Sequence, residues 1–328
     1  MTAALPGVVD IHLHFIPAEL VARIEQGGFP NVGVVRRDAG LVFTFPGMAP
    51  SAPAQPALLD LPQLAERGAA EGIELQLASP WTDLLGYTLS EPEAVAWTRA
   101  CNESLAAACA GQAGLLPLAT IPLQHPGLAV SELEAASQLG CRGAMVGTDI
   151  PGVDFDSPQL GPVWAAAAKL RMPIIVHPTF LEVPLRLQSR GLKNAVGRAG
   201  EATIALTRLV YSGALLRHPD LSVIAALGGG GLVPLTRRII RNHELGWSGA
   251  DSDVAASIGR LYFDTCGTDP AYLRFLVSRV GGERVMLGSD YPFPWEPRPV
   301  HKVNQAGLTS AETAAVLGGN ARRVFGFD

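Results

Sequence analysis

Short apolar runs alternate with longer amphipathic stretches along this chain. The runs at 7–14, 75–80, 115–122, 142–150, 173–179, 222–229, 261–267 and 285–292 read as strands. Several are almost continuous Val, Ile and Leu, the pattern of parallel strands covered on both faces. The stretches between them carry helix start and stop signals. Ser90 stands before Glu91, Pro92 and Glu93, a serine cap with Pro and Glu in the first turn. Ser157 before Pro158 and Asp269 before Pro270 repeat the device, and Gly140 and Gly281 stand where helices should stop. Strand and helix in regular alternation predict an α/β fold, a (β/α)8 barrel in one domain over 1–328, with a doubly wound sheet as the alternative.

Two segments depart from the alternation. Residues 32–37 and 41–45 predict a β-hairpin around Asp38, Ala39 and Gly40, followed by a Pro/Ala-rich loop. This is an insertion over about 31–56, after the first strand, on the rim where a barrel carries its active site. The segment 180–200, after the fifth barrel strand, is also long and holds Arg186, Arg190 and Arg198.

Composition narrows the class of protein. Of 328 residues 48% are hydrophobic and 17% charged, enough apolar material for a large core and too much for a disordered chain. The net charge of -5, with lysine only at 169, 193 and 302, offers no phosphate track, so no nucleic-acid partner is expected. No run approaches the roughly 18 to 20 apolar residues that span a bilayer, so no membrane partner is expected. The start of the chain lacks the basic and apolar regions of a signal peptide. Cys101, Cys109, Cys141 and Cys266 form no CxxC pair, and four reduced thiols in the cytoplasm are expected.

The chemistry should sit at the carboxyl ends of the barrel strands. There the chain places His12, His14, Asp149, His177, Leu227, Asp264 and Asp290. His12 and His14 are two apart on a strand and so share a face. In a barrel that face is the interior, where an imidazole needs hydrogen-bond partners or a metal. His177 ends PIIVH and Asp290 ends VMLGSD, so separate strands deliver metal-competent groups to one end. Three imidazoles and a carboxylate suit one Zn²⁺ ion, with Mn²⁺ or Fe²⁺ as alternatives. Lys169 and Lys193 are not placed to bridge a second ion. Phe293 and Trp295 are expected at the pocket mouth, and Asp264 as a substrate or water contact or, equally, as a hydrogen-bonded structural aspartate. Gly228 to Gly231 lacks the spacing of a nucleotide-binding loop and reads as a tight turn. His125, His218, His243 and His301 are expected at the surface.

These motifs resemble the amidohydrolase superfamily, in the branch typified by α-amino-β-carboxymuconate-ε-semialdehyde decarboxylase and γ-resorcylate decarboxylase. The resemblance rests on VDIHLHFIP at 9–17, LATIPL at 118–123, VHP at 176–178, EATIA at 201–205, GSDYPFP at 288–294 and GNARRVF at 319–325. It implies that His12, His14, His177 and Asp290 are the metal ligands. It also implies that Arg238 reaches into a neighbouring subunit's site in a homodimer. Three positions depart from the family. The histidine that activates the metal-bound water is replaced by Leu227 in ALGGGG at 226–231. The family's carboxylate-binding arginine aligns with Thr44, and its tryptophan falls near Gly191.

The expected function is metal-dependent, non-oxidative decarboxylation of a small aromatic or enolic carboxylic acid. The metal would serve as Lewis acid, His177 as a ligand at the reacting centre, and Asp290 as the donor of a proton to carbon. Two alternatives remain at this level: a metal-dependent hydrolase or hydratase acting on a ring, lactone or C–C bond, and a catalytically weakened metal-binding homologue.

Overall fold

The computed structural model describes residues 7–327. Ten strands are present among the described residues, in chain order β1 (Val8–Phe15), β2 (Gly33–Arg37), β3 (Gly40–Thr44), β4 (Ile73–Pro80), β5 (Leu115–Pro117), β6 (Ala144–Gly147), β7 (Ile174–His177), β8 (Val223–Ala225), β9 (Tyr262–Asp264) and β10 (Val285–Met286). β1, β4 and β5 form one parallel sheet, and β6 to β10 form a second in sequence order. Backbone hydrogen bonds join the two sheets at both seams. At one, Ala119 N donates to Gly143 O (2.9 Å) and Met145 N to Ala119 O (2.8 Å). At the other, Ile11 N donates to Leu287 O (3.0 Å), Asp290 N to His12 O and His14 N to Tyr291 O (both 2.8 Å). The fold is a (β/α)8 barrel in which the last strand lies beside the first.

The expected helix signals operate where the sequence places them. The helix Glu91–Ala110 starts at a capping box made by Ser90 and Glu93, and Pro270–Val280 starts at Asp269, whose side chain accepts from Tyr272 N. Ser157 caps a 3₁₀ turn that leads into Gly161–Leu170. The expected hairpin is β2 and β3, paired antiparallel with Gly33 opposite Thr44. Gly40 holds φ at 130°, and a side chain there would strike the Ala54 carbonyl. The hairpin packs through Phe43 and Phe45 onto Trp81 and Trp97, a core of its own at the rim. No helix among the described residues is long and apolar enough to cross a membrane. All four cysteines are buried and unpaired, and burial pushes the Cys109 and Cys141 thiols up to about 12, so they stay protonated.

Several strands are shorter than the apolar runs suggest. Those at 222–229 and 285–292 stop pairing regularly after Ala225 and Met286. Leu227 (φ 55°) and Asp290 (φ 61°) take left-handed backbone there, which a ladder cannot continue.

β1 also departs from simple alternation, with consequences for the site. Val9 and Ile11 join a cluster with Leu77, Met145, Ile175, Ile224 and Met286, one contribution from each of several strands. Leu13 and Phe15 instead pack against the helix residues Leu64 and Leu105. Between Asp10 and Leu13 the chain takes three steps while β4 takes two, from Gln76 to Ala78. This bulge reverses the parity of the strand, and His12 and His14 thereby take over the face that Val9 and Ile11 occupy below them.

Candidate metal centre

The rings of His12, His14 and His177 form a nearly symmetric triad. Their centroids are 5.1 to 5.3 Å apart and each pair is close to perpendicular, at 83° to 88°. Asp290 completes the group, its Oδ1 lying 3.1 Å from His14 Nε2 and 3.5 Å from His12 Nε2. One candidate ligand atom from each of the four residues lies within 4.8 Å of the other three, and all four side chains are buried.

In every ring the far nitrogen is already engaged. His12 Nδ1 meets Asp264 Oδ2 at 2.6 Å. His14 Nδ1 faces Pro80 O at 3.3 Å and Ser79 Oγ at 3.0 Å, and since that hydroxyl donates to Leu13 O, the ring nitrogen is the donor. His177 Nδ1 donates to Pro178 O at 3.1 Å. With each proton held at Nδ1, the lone pair lies at Nε2 and points inward. The three Nε2 atoms and Asp290 Oδ1 are buried without a hydrogen-bond partner. Buried polar atoms are rarely left so, and four converging on one point have the donor set of a divalent cation. The residues therefore fit such an ion.

The pKa directions agree with that donor set. Burial pulls His177 well below the ordinary imidazole value, aided by the charges of His12, His14 and Arg198. Burial also lowers His14, against the opposing pull of the Asp290 carboxylate 3.1 Å away. Burial works to lower His12 as well, but the Asp264 hydrogen bond and charge outweigh it and the net shift is upward. For Asp290 burial works upward, and the close approach of His14 with the charges of His12, His14 and Arg198 holds it below the ordinary carboxylate value.

Asp264 is a correction to the sequence reading. It is fully buried and does not line the cavity. Oδ2 holds His12, while Oδ1 accepts Gly228 N (3.0 Å) and Cys266 N (3.1 Å), so the carboxylate orients a histidine and has no surface for substrate. Asp149 likewise turns from the site and accepts Leu181 N at 2.7 Å, pinning the loop after β7. Asp10 escaped notice altogether. It binds Ser289 Oγ (2.5 Å), Ser289 N (3.1 Å) and Arg67 (2.9 Å), tying the first strand to the turn that carries Asp290.

A cavity of about 770 Å³ opens over the site, lined by His177, Asp290, Leu227, Phe293 and Trp295 among others. Phe293 lies edge-on to His14 at 5.8 Å. A second cavity of about 590 Å³ adjoins it under the hairpin and shares Ala52, Thr82, Asp83, Lys193 and Arg198 with the first. Leu227 faces the space where the resemblance implied a base. Thr44 lines neither cavity, and the hairpin presents Phe43, Phe45 and Met48 instead. Arg238 is exposed on the helix Leu232–Glu244 and does not line its own chain's cavities. His301 is exposed; His125, His218 and His243 are partly buried, and none of the four lines the cavities. Sequence reasoning missed Lys193 and Arg198 as site residues, although the length of the loop that carries them was a signal.

With fold and site in view, the chain belongs to the amidohydrolase family, whose model matches residues 9–327. It is similar to the 2-amino-3-carboxymuconate-6-semialdehyde decarboxylase of Dictyostelium discoideum, with 28% identity over 79% of this chain and 74% of the relative. It is also 28% identical to the γ-resorcylate decarboxylase of Rhizobium sp. (strain MTP-10005), over 79% of this chain and 85% of the relative. Among solved structures it resembles the dihydroxybenzoic acid decarboxylase from Polaromonas sp. JS666 with bound manganese and the inhibitor 2-nitroresorcinol. The TM-score is 0.79 at 22% identity, over 98% of this chain and 97% of that one.

Proposed function

We propose that this chain is a metal-dependent, non-oxidative decarboxylase of a small aromatic or enolic carboxylic acid, with one divalent ion held by His12, His14, His177 and Asp290. The observation that carries the reading is the set of four buried, unpartnered ligand atoms within 4.8 Å of one another. The decarboxylase names of the relatives support the reaction type. Three imidazoles and a carboxylate favour zinc, and the manganese in the Polaromonas enzyme makes that ion the alternative. We place the protein in the cytoplasm as a homodimer, with Arg238 extending towards the partner's site.

When bound, the ion supplies Lewis acidity to the carboxylate and an adjacent hydroxyl of the substrate. The reaction breaks the bond between carbon and carboxylate, releases CO2 and leaves an electron pair on carbon that must take a proton. We assign that proton transfer to Asp290. Its depressed pKa means that it rests ionised. An anionic substrate beside it offsets the neighbouring positive charges and raises its affinity for a proton, which it would take from solvent after binding and pass to the carbon as CO2 leaves. Phe293, Trp295 and Leu227 supply apolar wall against which a flat ring can pack. Leu227 cannot accept a proton, which weighs against a hydrolytic reaction needing a base at that place.

The test is elemental analysis of the purified protein followed by a panel of hydroxybenzoates and related acids in deuterated water. Stoichiometric metal, CO2 release and deuterium at the vacated carbon are expected. Metal-replete protein that incorporates solvent ¹⁸O instead would replace decarboxylation with hydrolysis.

A further inference from the structure

Lys193 and Arg198 are charged groups that the proposed reaction does not use. Both line the cavity over the metal centre and the one adjoining it, and so mark the boundary between the two. Lys193 opens a π-helical turn, Lys193–Gly197, and Arg198 opens the α-helix Arg198–Ser212 that follows. The Arg198 N–H donates to the Lys193 carbonyl. A turn closed between residues five apart stacks them on one side, where an α-helix would splay them. The guanidinium is fixed by Asn194 Oδ1 at 2.9 Å and Pro178 O at 2.6 Å and has no ion pair among the described residues. Lys193 Nζ has neither a hydrogen bond nor an ion pair among the described residues. Burial is the main influence lowering its pKa, with the nearby Arg198 charge acting the same way and Asp83 opposing both.

Charge balance indicates what this pair awaits. The carboxylates on the larger cavity are Asp83 and Asp290, which offset the two cations; Glu182 lines only the adjoining one. A divalent ion at the metal centre then leaves the larger cavity with two positive charges in excess. An acid with a single carboxylate neutralises half of that, and cations held without counter-charge in a partly desolvated site are costly. We infer that Lys193 and Arg198 form an anion subsite for a second negative group on the substrate, so that the preferred substrates are aromatic or enolic dicarboxylates. The inference rests on the decarboxylase reading for the fate of the first carboxylate, which lies at the metal centre. The second is retained in the product.

Calorimetric titration with benzoate, phthalate, isophthalate and terephthalate tests this on zinc-loaded protein. The best dicarboxylate should bind about 30-fold or more tighter than benzoate, as two charge-assisted contacts allow. Lys193→Gln should cut that preference to about threefold, and Arg198→Lys should retain most of it. In the wild type, dicarboxylate binding should also weaken more steeply with added KCl than benzoate binding. Equal affinity for all four acids in metal-loaded wild-type protein overturns the subsite, as does a preference that survives Lys193→Gln combined with Arg198→Gln. Repeating the titration after chelation separates the two proposals. A protein that binds no zinc yet prefers dicarboxylates keeps the subsite and loses the decarboxylase reading.

Discussion

The metal centre and the rim above it are built from different materials. His12, His14, His177 and Asp290 are 0, 1, 4 and 6% exposed and stand on strand ends or next to them. Each histidine has its outer nitrogen fixed by Asp264, Pro80 with Ser79, or Pro178. The rim is made of a hairpin, a π turn and the segment after β10, and Trp295 on it is 53% exposed. Rigid strand ends can hold four atoms in register for one ion. Loops are freer to vary and can set which acid sits above it. Chemistry and selectivity are thus separable here, and the comparison can be broken from either side.

His177→Ala should have the largest effect. Removing one of four ligands should leave the purified protein short of stoichiometric metal and lower kcat/KM on the order of 10³-fold, several kcal/mol of lost charge stabilisation. Full activity in a metal-depleted variant would end the reading of the centre. Asp264→Asn should be milder, with metal affinity falling about 10- to 100-fold as the orientation of His12 weakens.

The same variant has a pH signature. A proton competes with the ion at His12 Nε2, and the raised pKa of His12 means that affinity falls as pH drops through that value. Losing the Asp264 charge should move this acid limb to lower pH, which metal titrations at several pH values would show. Metal-free protein should lose stability as pH falls below about 6.5, the ordinary histidine value, because unfolded His14 and His177 take up protons that the buried rings refuse. His12 runs the other way, its raised pKa adding stability at low pH, so one ring opposes two. Thermal melting with and without chelator would measure the balance.

Leu227→His probes the wall of the cavity over the metal centre. Histidine tolerates the left-handed backbone at this position better than leucine, so the variant should fold. Decarboxylation without a base there predicts unchanged metal content and CO2 release within about tenfold. A gain nearer the 10² to 10⁴ that general-base help supplies would mean that the chain descends from an enzyme that relied on that histidine. Trp295→Ala should do least, shifting stability by no more than about 0.5 kcal/mol while weakening binding of aromatic acids a few-fold.

The fold was legible because apolar runs and caps announce strands and helices directly. The hairpin was legible through Gly40 and its flanking alternation. The ligands stood out as polar residues closing apolar strands. What stayed hidden depends on backbone irregularity. Strict alternation from Ile11 would have turned His12 away from the interior, and the bulge that corrects this leaves no mark in residue types. Asp264 was assigned to the substrate because an aspartate at a strand end looks the same whether it faces a cavity or backs a histidine. Lys193 and Arg198 lie on different faces at α-helical spacing, and only the π turn makes them neighbours.

The seam between β1 and β10 carries one more implication. His12 and His14 come from the start of the chain and Asp290 from near its end, and Asp10 with Ser289 clasps the two together. During synthesis, which proceeds from the amino terminus, the first two ligands emerge long before their carboxylate partner. On the proposed ligand set a nascent chain would lack the carboxylate until its last strand emerges, and full-strength loading is expected to follow closure of the ring. Metal uptake timed against ribosome release would act as a clock for the last step of folding.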